Sequence, residues 1–322
     1  MKRFSVEKGP FLRSVDEKEN STNKMMINLL IALLPVILFG FVFFGILPVA
    51  VGGYDAVYKS PFYCIIRPIL NVVFGAFCSM TLEGLYFFLF KKIKGFKNIL
   101  NEVWYSFAVI PGVLIALILP TTIPLYVILF GCIMANIIFK MLFGGLGHNI
   151  FNPALIGYAF CVFAFSSNAN SINACMELQG KLISNVLNNI NGFTVLTSAT
   201  PLTSLKTLAS NIGSFNVGYQ EACLDFGGLL NLFIGFRNGN FGEISSLCCL
   251  IGLIYLLITK VINWRVPVFY LGSVFVVTLI ISLVCGIDGI LWFPLFNLFT
   301  GGLFFGAVFM ATEPVTTPKN QM

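Results

Sequence analysis

Charge is scarce in this chain. Only 10% of its residues are Asp, Glu, Lys or Arg, against about 25% in soluble globular domains. A chain so poor in charge is not a soluble globular enzyme. Histidine is nearly absent as well: His148 stands alone, which argues against a histidine-based metal or haem site. The nine cysteines include no Cys-x-x-Cys pair, so the sequence places no iron–sulfur cluster here. Most of them fall inside apolar runs, where a thiol behaves as a small hydrophobe. Cys175 and Cys223 share one polar segment, and a disulfide between them is the weakly supported alternative. No cleavable signal peptide is evident, because the first 25 residues are polar and carry Lys2, Arg3, Lys8, Arg13, Lys18 and Lys24. The net charge of +6 does not point to nucleic acid, since the basic residues sit beside apolar runs, where membrane topology explains them.

What the chain does have is hydrocarbon. Apolar residues make up 57% of it, with 35 Phe. Eight runs, near 27–47, 66–90, 104–119, 124–143, 153–167, 245–262, 266–285 and 290–311, approach the length of a membrane span. The expected fold is therefore an all-α polytopic membrane protein of about eight transmembrane helices. A further run, Gly227–Phe236, is too short to span and reads as an interfacial or re-entrant helix. The third run is short, with Pro111 and Pro120 expected to interrupt or end it. Such broken helices persist only where neighbours satisfy the freed backbone groups.

Charge sets the expected orientation. With the N-terminus inside and the spans alternating, fourteen of the nineteen Lys and Arg fall on the inner side and five on the outer. The Lys91–Lys97 cluster is the strongest anchor of that bias. Lys140 is counted inside, and Arg67 and Arg237 outside. This divides the chain into a cytoplasmic tail (1–25), a first membrane repeat of five spans (26–167), an outer loop (168–226) and a second membrane part of three spans (227–322). The outer loop is rich in Asn and Ser but contains apolar stretches, which suits a small folded cap better than disorder.

Three motifs stand out. In Thr197-Ser198-Ala199-Thr200-Pro201-Leu202, Thr200 can cap a helix and Pro201 suits the first helical position. The same helix start would favour a phosphate, through free N–H groups and partial positive charge, so a cap and a phosphoester tether are compatible readings. In Gly144-Gly145-Leu146-Gly147-His148-Asn149-Ile150-Phe151-Asn152-Pro153, Asn152 and Pro153 again read as cap and first helical residue. The glycines there permit either a tight re-entrant turn or a polar pocket for a planar ligand held by amide groups. It is not a dinucleotide fingerprint, because no βαβ context surrounds it. The third motif runs from Phe293 through Gly301, Gly302 and Gly306 to Glu313-Pro314. Glu83, Glu243 and Glu313 all lie near span ends, where a solvated interfacial position is expected.

The runs FGGLGHNIFNPALIGYAF (143–160), TSATPL (197–202), NGNFGEISSL (238–247) and FPLFNLFTGGLFFGAVFMATEPVTTP (293–318), with MMINLLIALLP opening the first span, resemble the RnfD component of the Rnf electron-transport complex. The related NqrB component of the sodium-pumping NADH:quinone reductase shares much of the pattern. The short tail and the Thr-Pro-Leu continuation of the flavin motif favour the Rnf side.

The resemblance implies ten spans in two inverted halves of five. This chain ends six residues after Thr316, so the last two spans are expected to be missing and the second repeat incomplete. It implies FMN bound covalently to Thr200 through a phosphoester, made by a separate flavin transferase whose usual target reads Asp-x-x-Ser/Thr-Gly-Ala-Thr/Ser. Thr197, Ala199 and Thr200 fit that target, while Thr194 stands at its Asp and Ser198 at its Gly. It implies a second, non-covalent flavin (riboflavin) near Asn149, Asn152 and Glu313.

The expected role is that of a membrane component in an ion-translocating ferredoxin:NAD+ oxidoreductase of the bacterial cytoplasmic (inner) membrane. It would relay electrons to cofactors of the other Rnf subunits, with Thr200 outside and no turnover of its own. Non-redox alternatives are a secondary transporter, which also uses broken helices and inverted halves, and a scaffold without flavin.

Overall fold

The computed structural model describes residues 22–51, 54, 57–165, 179, 228–284, 286 and 290–313. In chain order its helices are α1 (Asn23–Val51), α2 (Pro61–Leu89), α3 (Phe96–Tyr105), α4 (Val109–Ile118), α5 (Leu125–Met141), α6 (Pro153–Ala164), α7 (Leu229–Ile234), α8 (Ser246–Ile258), α9 (Arg265–Val284), α10 (Trp292–Phe299) and α11 (Leu303–Met310). All eight apolar runs are helical, and the described residues contain no strand.

Three helices, α1, α2 and α9, are long and apolar enough to cross a bilayer alone. The pairs α3/α4 and α10/α11 qualify only as bent pairs, with bends of 58° and 69°, and α5, α6 and α8 are shorter apolar helices. The run at 227–236 forms the six-residue α7.

Burial sorts these apolar helices. In α4 every residue from Ile110 to Ile118 is buried. A helix apolar on all sides belongs at the centre of a bundle, and α4 packs there against α2, α5 and α6. In α9 only Pro267 and Ser282 are buried, so the rest of this apolar helix is partly or fully exposed. Exposed hydrocarbon on that scale requires lipid.

Close approach of α2 to α4 depends on glycine. A methyl carbon added at Gly112 would lie 2.1 Å from the Gly75 carbonyl oxygen, and one at Gly75 would lie 2.5 Å from the Gly112 carbonyl. The two backbones touch, as small residues allow between membrane helices.

The break in the third run is not where proline predicts it. It falls at Ser106–Ala108, where Phe107 adopts φ 49°. Pro111 instead sits in the first turn of α4, where its missing N–H leaves no bond unmade. Leu119, extended before Pro120, ends the helix.

Three basic residues counted as topological charges are not solvated. Arg67, Lys140 and Arg237 are buried within the bundle. One comes from the inner count and two from the outer, so the expected bias keeps its sign.

Candidate functional site

The buried polar groups of the first half form a line. On α2, Arg67, Asn71, Ser79 and Glu83 lie at multiples of four residues and are all buried, so they trace a stripe that winds about 40° around the helix at each step of four. Arg67 donates to the carbonyls of Thr121 (3.4 Å) and Ile123 (2.5 Å), and Asn71 donates to Thr121 at 2.8 Å. Further along, α5 answers with its own four-residue series. Cys132 Sγ approaches the Gly75 carbonyl at 3.6 Å, Asn136 Nδ2 donates to Ser79 Oγ at 2.5 Å, and Lys140 Nζ donates to Glu83 Oε1 at 2.5 Å.

The Lys140–Glu83 pair is fully enclosed, at 2% and 0% side-chain exposure. Sequence reasoning placed both groups at wet span ends; the structure corrects this, because each neutralises the other inside the bundle. Lys140 also donates to the Ser106 carbonyl at 2.8 Å. That carbonyl lies at the C-terminal end of α3, where the helix dipole favours a cation. The pair therefore holds the break between α3 and α4, and helps to offset the left-handed strain at Phe107, on the order of 1–2 kcal/mol. The signal that could have revealed it was an acid and a base inside apolar runs, each at four-residue spacing from other polar groups.

The glycine-rich connection continues this line. Gly144, Gly145 and Gly147 have φ of 116°, 90° and 96°, a region costly for any residue with a side chain. Asn152 caps α6 as the sequence predicts: its side-chain oxygen accepts from Leu155 N at 3.1 Å, and Pro153 takes the first helical position. Its amide also donates to the Met310 carbonyl at the end of α11, at 3.2 Å.

The three inner residues singled out from sequence are thus brought to one end of the bundle. Asn149 and Glu313 line a crevice shared with Met26 of α1, Phe107 and Pro111 at the α3/α4 break, and Lys140 of α5. Glu313 is buried rather than solvated, because α11, α1 and the glycine connection close over it. Asn152 clamps the two backbone elements together beside the crevice. Asn149 Oδ1 is buried without a hydrogen-bond partner, which suits an N–H donor. The crevice is partly open, and its interior of about 10 Å³ has room for roughly one water. The unpartnered Asn149 oxygen, with the Lys140 and Glu313 side chains beside it, suits a small polar ligand or the polar edge of a larger one.

Asn152→Ala is expected to cost about 1–2 kcal/mol by loss of the cap and of the bond to Met310. Asn152→Asp should recover the cap but not that bond. Thermal unfolding of the three proteins in detergent checks the order wild type, Asp, Ala.

On the second half, a buried base again meets a helix break. Arg237, in the connection between α7 and α8, donates through Nε to the Ile244 carbonyl (2.8 Å) and through Nη2 to the carbonyls of Glu243 and Gly301 (the latter 3.2 Å). Gly301 lies between α10 and α11. Burial draws the Arg237 guanidinium down to about 10, opposed by the nearby Glu243 carboxylate. Burial likewise pushes the Glu243 carboxyl up, opposed first by the Asn240 backbone N–H, which donates to it at 3.0 Å. Gln179 reaches this connection from the 168–226 segment, donating to Gly239 O at 2.6 Å and accepting from Gly239 N at 2.9 Å.

Thr197, Ser198, Ala199 and Thr200 lie outside the described residues, as do Cys175, Cys223 and Cys285. The other six cysteines are buried and outside any disulfide, as their apolar settings predict.

Comparison with known proteins places this architecture. The D component of a proton-translocating ferredoxin:NAD(+) oxidoreductase complex from Clostridium ljungdahlii is 31% identical over 320 residues, 98% of this chain and 80% of that protein. The D component of a Na(+)-translocating ferredoxin:NAD(+) oxidoreductase complex from Acetobacterium woodii is 31% identical over 317 residues, 98% of this chain and 78% of that protein. The B component of a Na(+)-translocating NADH-quinone reductase from Chromohalobacter salexigens is 34% identical over 209 residues, 64% of this chain and 45% of that protein. The profile of the NQR2, RnfD, RnfE family matches residues 5–322, and the chain belongs to that family.

Proposed function

We propose that this chain is a membrane component of an ion-translocating oxidoreductase complex of the ferredoxin:NAD+ type, and that it carries FMN covalently on Thr200. The observation that carries the reading is the Thr197-Ser198-Ala199-Thr200 run inside a chain that aligns over 98% of its length with the D components of two such complexes. One quinone-reductase B component aligns over 79% of the chain, so the ferredoxin side of the reading rests on the two 98% alignments and on the Thr-Pro-Leu continuation of the motif.

In this reading the Thr200 hydroxyl is the oxygen of the phosphoester, and a flavin transferase makes the bond. The flavin supplies the electron-carrying chemistry when bound, and the other subunits supply donor and acceptor sites. The protein lies in the cytoplasmic membrane with its N-terminus inside and Thr200 outside, as the basic-residue bias supports. A second, non-covalent flavin near Asn149, Asn152 and Glu313 belongs to the same reading, and no step is assigned to it.

The test is co-production with the flavin transferase, followed by denaturing electrophoresis and flavin fluorescence of the band. Wild type should fluoresce, Thr200→Val should lose the signal entirely, and Thr200→Ser should retain it. A dark wild-type band, beside a bright relative in the same assay, would defeat the proposal.

A further inference from the structure

Helix α3 is out of place for a span. Its ten residues rise about 15 Å, half of a bilayer's hydrocarbon, and it departs from α4 by 58°. Whereas α4 is enclosed, α3 buries only Val103 fully. Ile99 and Val103 pack over Gly84 and Phe87 at the end of α2. Beside that docked stripe runs a second apolar one, Phe96, Leu100 and Trp104, again at four-residue spacing. These side chains are 81%, 48% and 59% exposed, and Phe88 and Phe90 at the end of α2 are exposed as well.

The remaining arc is polar, with Lys97 and Asn101 on it. Exposed Lys91, Lys92 and Lys94 lie in the turn just before the helix. Residues 91–105 thus hold four lysines and one acid, Glu102. A short helix with one apolar stripe docked, one bare, and lysines along its rim has the composition of a helix lying in the membrane–water interface. Trp104 and Tyr105 are the aromatic types enriched at that depth.

We propose that α3 lies flat in one leaflet and that Lys91, Lys92, Lys94 and Lys97 form a docking surface for the phosphates of anionic phospholipids. Phe96, Leu100 and Trp104 enter the edge of the acyl region, while the lysines stand at headgroup level. Charge complementarity selects the occupant: a basic cluster beside a membrane surface attracts acidic lipids and is indifferent to zwitterionic ones.

The test uses the full chain with Trp264→Phe and Trp292→Phe, leaving Trp104 as the one indole of the original three. It is placed in vesicles of phosphatidylcholine with a minority of phosphatidylglycerol, the acyl chains of one lipid or the other being brominated. Trp104 should be quenched by both, and per lipid about tenfold more by phosphatidylglycerol at low salt. Molar salt should abolish that preference. Replacing the four lysines with glutamine should abolish it too, while leaving quenching by phosphatidylcholine unchanged. The salt comparison needs no lysine variant, so a poorly folding variant does not blunt the test. Equal quenching by both lipids at low salt would overturn the proposal, as would absence of quenching by either, which would mean protein covers the helix.

Discussion

Glu83→Ala is expected to destabilise the protein by about 3–5 kcal/mol. The substitution leaves the Lys140 ammonium buried, with the Ser106 carbonyl as its remaining partner. Lys140→Ala should cost a similar amount, because it strands the Glu83 carboxylate and releases the carbonyl at the α3/α4 break. The double variant Glu83→Gln, Lys140→Met removes both charges, and should recover most of the loss. Six buried cysteines offer a readout: a thiol-reactive fluorophore reports their exposure as a detergent-solubilised sample is heated. Single variants that melt with the wild type would show that the pair contributes nothing to the fold.

Gly112→Ala should be nearly as damaging, at about 3 kcal/mol. The added carbon would stand 2.1 Å from the Gly75 carbonyl oxygen and 2.7 Å from Ser79 Cβ. Neither is the free end of a flexible side chain, so α2 and α4 must separate. Moving α2 would also strain its bonds to α5, Ser79 with Asn136 and Glu83 with Lys140. Gly272→Ala in α9 is the control, because nothing lies within 4 Å of the added carbon; it should be neutral or slightly stabilising. The same heating assay distinguishes the two, and equal melting temperatures for both variants would contradict the close helix contact.

The helices were legible because hydrocarbon length and proline and asparagine caps are local signals. Asn152 before Pro153 announced α6, and the short run at 227–236 announced a helix too brief to span. The break at Phe107 was not legible. It depends on Lys140 reaching the Ser106 carbonyl from another helix, whereas the visible proline, Pro111, was harmless in a first turn. The same limit applied to charge. Lys140, Arg67 and Arg237 looked like topological markers because a charge's partner is invisible until helices pack. For Lys140 and Arg67, four-residue spacing to other polar groups was the available clue. The glycine connection was half legible: its left-handed turns follow from the glycines, but the closeness of Asn149 to Glu313 arises only when α11 meets α6.

The central claim is that Thr200 bears FMN. Its most direct measurement is the mass of the protease-generated peptide containing Thr200, from chain co-produced with a flavin transferase. The account predicts that peptide heavier by one FMN less one water, with fragmentation placing the addition on Thr200. An unmodified Thr200 peptide, or the flavin on another residue, while a related protein is modified in the same cells, would contradict it.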